Sequence, residues 1–276
     1  MPELPEVECL VNDLRNCLPG RKIFDVKFYW ERMLGDIPPQ QFCKGICGRT
    51  IKKIKRKGKY ILIFLSGKKV LEIHLRMTGA LLFYAAAFQP VKHTGAIFYL
   101  DSNAELHFQD MRKFGTFRLW EETELPYTKP FLLGPDPLAK EFVFKQFCTL
   151  LAQKPRGMIK SFLLNQKNIA GLGNIYTDEA LFRAGVHPAR KVGTLNRQEK
   201  EALWKSLHSV LREGIACGGT SVANYKDIRG LPGGFQKKLR VYRRQGESCP
   251  CCAGKIVRCV VAGRGTYFCP CCQPPG

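Results

Sequence analysis

The chain has 276 residues, enough for two domains with cores of their own, and sets 44 Lys and Arg against 23 Asp and Glu, a formal net charge of +21. A surplus of that size without a low-complexity tail points to a polyanionic partner. The acidic head carries no apolar segment and no apolar run reaches the length of a membrane span, so neither export nor membrane insertion is expected and the cytoplasm is the expected compartment.

In chain order, the head Met1-Pro-Glu-Leu-Pro-Glu-Val-Glu8 comes first. An initiator Met before a small residue is normally trimmed, which here leaves Pro2 as a secondary amine. Such an amine can attack a sugar carbon and form a cationic iminium, which draws electrons from neighbouring bonds as lysine does in Schiff-base enzymes. Glu3 and Glu6 stand close enough in sequence to move protons there. The plainer reading is a helix start, with Pro5 its first residue and Glu6 and Glu8 favoured by its positive end. The two readings are compatible.

Residues 5–18 put Val7, Leu10, Val11, Leu14 and Leu18 on one face, an amphipathic helix stopped by Pro19-Gly20. Strand-like segments follow at 22–30, 50–54, 60–65, 70–75, 80–84, 96–100, 105–109 and 116–120, many of them alternating apolar with polar residues. One helix and eight short strands predict a β-sandwich. Residues 121–137 hold four prolines and read as a linker. Helical patterns occupy 142–152, 158–165, 174–184 and 196–216; a Gly-rich loop at 218–234, a basic strand at 238–244 and a Cys-rich tail close the chain. The fold class is therefore α+β. Expected domains are a β-sandwich at 1–125, a linker at 126–138, a helical domain with the Gly-rich loop at 139–235, and a hairpin and tail at 236–276.

Seven of the 13 cysteines fall between Cys249 and Cys272. In a chain with no export signal, such clustering suggests metal and not disulfides. Cys249/Cys252 and Cys269/Cys272 are two pairs of the same spacing with sixteen residues between them, the pattern of a closed, structural Cys₄ zinc site on a hairpin. Cys251, Cys259 and Cys271 are left over. Arg264, near the hairpin tip, is either a solvated turn residue or a phosphate contact. The basic run from Lys52 to Lys59 is phosphate-facing or solvated, with Lys59 directly abutting a strand. Gly171-Leu-Gly173-Asn174 joins two helices; with Lys160 on the preceding helix it suggests a phosphate clamp, while Asn174 alone reads as a helix cap. Met77, Arg112 and Phe114 lie at strand ends. Met and Phe there are ordinarily core residues, and the sharper reading is a wedge entering a duplex from which one base has been turned out.

Together these motifs resemble the bacterial formamidopyrimidine-DNA glycosylase family essentially end to end. The match rests on the head Pro2 to Glu8, Lys57-Gly-Lys59-Tyr60, His74-Leu75, Arg112-Lys-Phe114-Gly115, Leu133-Gly-Pro-Asp-Pro-Leu138, Ala170-Gly-Leu-Gly-Asn174-Ile-Tyr176, Gly218-Gly-Thr220 and Gly263-Arg-Gly-Thr266. The resemblance implies a monomeric base-excision-repair enzyme on double-stranded DNA, built from the β-sandwich, a helix-two-turn-helix domain and a zinc hairpin holding one structural Zn²⁺. It implies excision of oxidised purines such as 8-oxoguanine and formamidopyrimidines, and cleavage at abasic sites, through a Pro2 Schiff base and β,δ-elimination. Pro2, Glu3, Lys59 and Arg264 would carry the chemistry, with Glu6 in support. His74, His93, Arg112, Arg156, Lys160 and Asn174 would contact DNA, and Met77, Arg112 and Phe114 would fill the vacated stack. The 218–234 loop would cover the extruded base. Alternatives are the same mechanism on oxidised pyrimidines, or a zinc protein that binds lesions without cutting. Cys251 and Cys271 stand where relatives more often carry polar or basic residues, and Pro274-Pro-Gly276 runs past the family's usual end.

Overall fold

A computed structural model describes residues 1–222 and 224–275; Ala223 of the Gly-rich loop and Gly276 of the tail lie outside the described residues. The chain forms two compact units: residues 1–132 with 215–236, and residues 133–214 with 237–276.

The first unit opens with α1 (Leu4–Cys17). Leu4, Val7, Leu10, Val11 and Leu14 recur at helical spacing and are fully buried, so the helix is held by its apolar stripe packed on the sheet beneath. The strands are β1 (Ile23–Phe28), β2 (Ile51–Lys57), β3 (Tyr60–Leu65), β4 (Lys69–His74), β5 (Gly79–Tyr84), β6 (Thr94–Leu100), β7 (Glu105–Asp110) and β8 (Thr116–Glu121). They pair antiparallel in two four-stranded sheets, β1-β6-β7-β5 and β2-β3-β4-β8, as a sandwich requires. Ile61, Ile63, Leu71 and Ile73 of one sheet share a core with Leu81, Phe98, Leu106 and Phe108 of the other.

β3 is apolar on both faces, and the reason lies outside the sandwich core. Leu62 and Phe64 point the other way and pack with Val70, Trp120 and Leu125. Leu125 sits on a 3-10 turn (Glu122–Tyr127), so the proline-rich stretch begins as a cover for the sheet's outer face, and the first unit runs on to Leu132. The helix α2 (Pro39–Ile46) lies between β1 and β2, where no helix is expected from the sequence, and is anchored by Phe42 and Ile46.

The Gly-rich segment was expected with the helical domain. It groups instead with the β unit, because Tyr225 and Ile228 enter the sandwich core and the Phe83 N–H donates to the Ile228 carbonyl at 2.8 Å.

The second unit holds α3 (Phe144–Ala152), α4 (Ile159–Leu164), α5 (Asn174–Arg183), most of α6 (Arg197–Ala216), and a hairpin of β9 (Val257–Val261) and β10 (Arg264–Phe268). The hairpin turns through Ala262 and Gly263, both at positive φ (51° and 71°), the two-residue geometry that matches strand twist. The expected strand at 238–244 is not one. The backbone N–H groups of Arg240, Val241 and Tyr242 all donate to the buried Glu179 carboxylate at 2.9–3.0 Å, so this segment wraps a side chain and joins no ladder. Among the described residues, no helix is long and apolar enough to cross a membrane.

Candidate active site

Pro2 and Glu3 lead directly into α1, with Glu3 as its N-cap in extended conformation. The Glu3 N–H donates to Glu6 Oε2 at 2.7 Å, satisfying one of the orphan donors at a helix start. Glu6 Oε1 accepts the Thr220 N–H at 2.8 Å. One carboxylate therefore fixes both the helix entrance and the first residues of the Gly-rich segment. Pro2, Glu3 (4% exposed) and Glu6 (1%) are buried, while Met1 is half exposed.

Lys59 sits in the two-residue turn joining β2 to β3, where Gly58 supplies the positive φ (57°) the turn requires. Its side chain is buried, unlike Lys52, Lys53 and Lys55, which face solvent. His74, across the ladder from Tyr60, was expected to reach DNA. It is instead buried, stacked edge-on against Tyr60 at 4.5 Å, with Nδ1 accepting the Arg76 N–H at 3.0 Å. Burial, with Arg76 and Lys59 nearby, pulls its pKa down to about 3, so it supplies no positive charge at neutral pH.

Met77, Arg112 and Phe114 come together at the surface. Met77 and Phe114 are 44% and 41% exposed, against the rule for core residues; Arg112 Nη1 lies 2.9 Å from Met77 Sδ, and its guanidinium stacks 4.8 Å from the Phe114 ring centroid. The residue that builds this cluster was missed in the sequence. Asp110, fully buried, accepts the N–H groups of Arg112 (3.1 Å), Phe114 (2.7 Å) and Gly115 (2.7 Å) and the Thr78 hydroxyl, and so folds the turn that presents Arg112 and Phe114. His93, at φ 70°, is partly exposed and accepts the Asp110 N–H on its carbonyl at 2.9 Å.

In the second unit Lys160 was expected to hold a phosphate. It is fully buried, paired with Asp178 Oδ1 at 2.6 Å and donating to Thr266 Oγ1 (2.8 Å) and the Gly265 carbonyl (3.2 Å). Burial pushes the Asp178 carboxyl up while Lys160 holds it down. Asn174 is not a cap: Gly173 is, and Asn174 Nδ2 donates to the same Gly265 carbonyl at 2.8 Å. Both residues thus brace the strand that begins with Arg264, which is exposed, as is Arg156 on the loop before α4. Asp178 and Glu179, adjacent and both fully buried, carried no signal in the sequence, where an acidic pair reads as a solvated helix face.

Four cysteines converge in this unit. The sulfurs of Cys249, Cys252, Cys269 and Cys272 lie within 4.8 Å of one another, with Cys249–Cys272 at 3.7 Å and Cys252–Cys269 at 3.5 Å. The edge of a tetrahedron with bonds of about 2.3 Å is about 3.8 Å, so the spacing suits one metal ion. The N–H groups of Cys251 and Gly254 point at the sulfurs of Cys249 (3.4 Å) and Cys252 (3.3 Å), as thiolate ligands need. Cys251 and Cys271 are exposed.

Two domain families of one enzyme match the chain: the formamidopyrimidine-DNA glycosylase N-terminal domain over residues 1–117, and the formamidopyrimidine-DNA glycosylase H2TH domain over residues 133–226. Formamidopyrimidine-DNA glycosylase of Desulfitobacterium hafniense is 42% identical, covering 99% of this chain and all of the relative. Among solved structures, Lactococcus lactis Fpg in complex with DNA containing an abasic site is 35% identical with a TM-score of 0.91, covering 99% of both chains. The same Lactococcus lactis protein bound to DNA containing an oxidised pyrimidine matches with a TM-score of 0.90 and 35% identity, covering 99% of this chain and all of that one. With both domains matched in order and relatives aligned over their full length, the chain belongs to the formamidopyrimidine-DNA glycosylase family.

Proposed function

We propose that the protein excises oxidised purines from duplex DNA and then cuts the strand at the resulting abasic site. Once Met1 is removed, the Pro2 amine attacks C1′ of the extruded nucleotide; the C1′–N bond breaks and the base leaves with a proton. Glu3 hands a proton to the sugar ring oxygen as the ring opens, giving an iminium between Pro2 and C1′. With that cation as electron sink, loss of a C2′ proton breaks the C3′–O bond, and a second elimination breaks the C5′–O bond, leaving phosphate on both ends. Lys59 serves the proton transfers of cleavage, and Arg264 the second elimination. Met77, Arg112 and Phe114 fill the gap in the stack, and His93, Arg112, Arg156 and Asn174 hold the backbone. A zinc ion held by Cys249, Cys252, Cys269 and Cys272, when bound, stabilises the hairpin and leaves no open position for catalysis.

The observation that carries this reading is the head itself. Pro2 is buried and followed by two buried carboxylates, Glu3 and Glu6, and Glu6 is spent on fixing the helix entrance and the Gly-rich segment. A group that must meet one sugar carbon gains its rate from being held in place.

Borohydride reduction of a mixture with 8-oxoguanine duplex tests it. The mature protein should give a covalent protein–DNA adduct, lost in Pro2→Gly and in protein that retains Met1. Parallel duplexes carrying oxidised pyrimidines rank the lesion classes. A protein freed of Met1 that binds the lesion without ever being trapped would refute the Schiff-base mechanism.

A further inference from the structure

Outside the Cys-rich tail, Cys43 and Cys47 stand four residues apart, one within α2 and the other just past its end. That spacing puts both thiols on one side of the helix, facing β1. Cys43 Sγ lies 3.5 Å from the Val26 carbonyl, and Cys47 Sγ 4.0 Å from Asp25 Oδ1. The two sulfurs and an Asp25 carboxylate oxygen all fall within 4.8 Å of one another. The Val26 N–H donates to Asp25 Oδ1 at 2.8 Å and fixes the carboxylate on this side of the strand. Both cysteines are partly buried and Asp25 is exposed, so the cluster is sheltered on the protein side and open to solvent on the other.

We propose that Asp25, Cys43 and Cys47 form a second metal site, for a thiophilic divalent cation of the zinc class. Two sulfurs and one oxygen are the wrong donors for magnesium or calcium, which take oxygen ligands throughout. They suit zinc, whose bonds of about 2.3 Å to sulfur and about 2.1 Å to oxygen draw three atoms this close onto one ion by small side-chain rotations. Three protein ligands leave a fourth position to water. Binding releases the thiol protons and adds a tie between α2 and β1, which already meet at the edge-on Phe28–Phe42 contact at 5.5 Å.

A disulfide is the competing fate, because cysteines four apart on a helix have Cα atoms about 6 Å apart, within disulfide range. The Asp25 carboxylate oxygen within 4.8 Å of both sulfurs is a third donor that a disulfide would leave unused and a metal ion would engage.

Cadmium is the probe. The full-length protein, saturated with Cd²⁺ and freed of excess, should hold one ion more per chain than Cys43→Ser, measured by native mass spectrometry and by sulfur-to-cadmium charge-transfer absorbance. Cys47→Ala should lose the same ion. Asp25→Asn should weaken it at least about tenfold. Cys252→Ser, which disables the tail cluster, should keep it. Circular dichroism confirms that each variant is folded, and covalent trapping on lesion DNA should be unchanged in Cys43→Ser. Equal cadmium content in the wild-type protein and Cys43→Ser would overturn the site, and so would a peptide map showing Cys43 and Cys47 joined by a disulfide after purification in air.

Discussion

At the scale of single residues, the decisive groups are buried carboxylates and one buried imidazole. Asp110 offers acceptors to three N–H groups and a hydroxyl, and Arg112 and Phe114 are exposed as a consequence. Asp110→Asn replaces one acceptor oxygen with a donor, so one of those N–H groups meets another N–H, at a cost of about 1–3 kcal/mol. The turn loosens, and affinity for lesion duplex should fall about tenfold, or about 1.4 kcal/mol, by fluorescence anisotropy. Trapping on single-stranded abasic DNA, which needs no wedge, should persist; an equal loss on both substrates would mean Asp110 supports the fold alone. His74 makes a pH prediction. Its pKa is depressed in the folded protein from 6.5 to about 3, so its stabilising contribution is complete above pH 6.5 and drains away as pH falls toward 3, at up to about 1.4 kcal/mol per pH unit. His74→Asn keeps an acceptor for the Arg76 N–H but cannot titrate there. Its urea-unfolding free energy should therefore decline less steeply between those pH values than the wild-type protein's. The sequence revealed the chemistry at Pro2, Glu3 and the cysteine pairs, because those motifs are contiguous. It concealed Asp110, and it showed no partner for Lys160, because the Asp178 that pairs with it lies 18 residues further along the chain.

At the scale of elements, the strands were legible wherever apolar residues alternate or run unbroken between Gly and Asn turns. Every expected strand up to 120 exists within a few residues of its place. The sequence missed α2, which starts at Pro39 behind the cap Pro38 and offers only Phe42 and Ile46 as buried anchors, too few for a periodicity to emerge. It also proposed a strand at 238–244, where basic and apolar residues alternate. There the outcome turned on Glu179, which lies 61 residues earlier in sequence than the first N–H it binds. This gives a sharp test. Glu179→Gln keeps the size but loses the charge and one acceptor, leaving the N–H groups of Arg240, Val241 and Tyr242, of which Val241's is buried, weakly satisfied. Hydrogen bonds to a charged acceptor contribute about 1.5–3 kcal/mol, and the variant should lose about 2–4 kcal/mol on that basis. Hydrogen exchange should quicken at residues 240–242 and leave β3 and β4 unaltered. Uniform quickening across both units would mean the carboxylate matters to more than this wrap.

At the scale of the whole molecule, the excess of positive charge must be separated into cations that can meet phosphate and cations already committed. Lys52, Lys55, Arg112, Arg156 and Arg264 are exposed, as is Lys53 beside an exposed Glu122 at 3.9 Å, whereas Lys160 is buried and spent on Asp178. Each phosphate neutralised releases counterions and adds about −0.9 to the slope of log K against log salt. If the exposed group supplies six or more contacts, duplex affinity should fall by about a thousandfold or more between roughly 50 and 200 mM salt. The distribution of that slope is more telling than its size. Arg156→Ala should reduce it by about one. Replacing Lys160 alone would strand a buried carboxylate, at about 3–5 kcal/mol, so the informative variant is Lys160→Met with Asp178→Leu, which removes the pair together. That double variant gives up one positive and one negative charge, neither exposed, and should bind with the wild-type salt slope. A slope reduced by one in the double variant would mean that Lys160 leaves Asp178 when DNA arrives, and that the pair is a resting state and not a brace for the strand carrying Arg264.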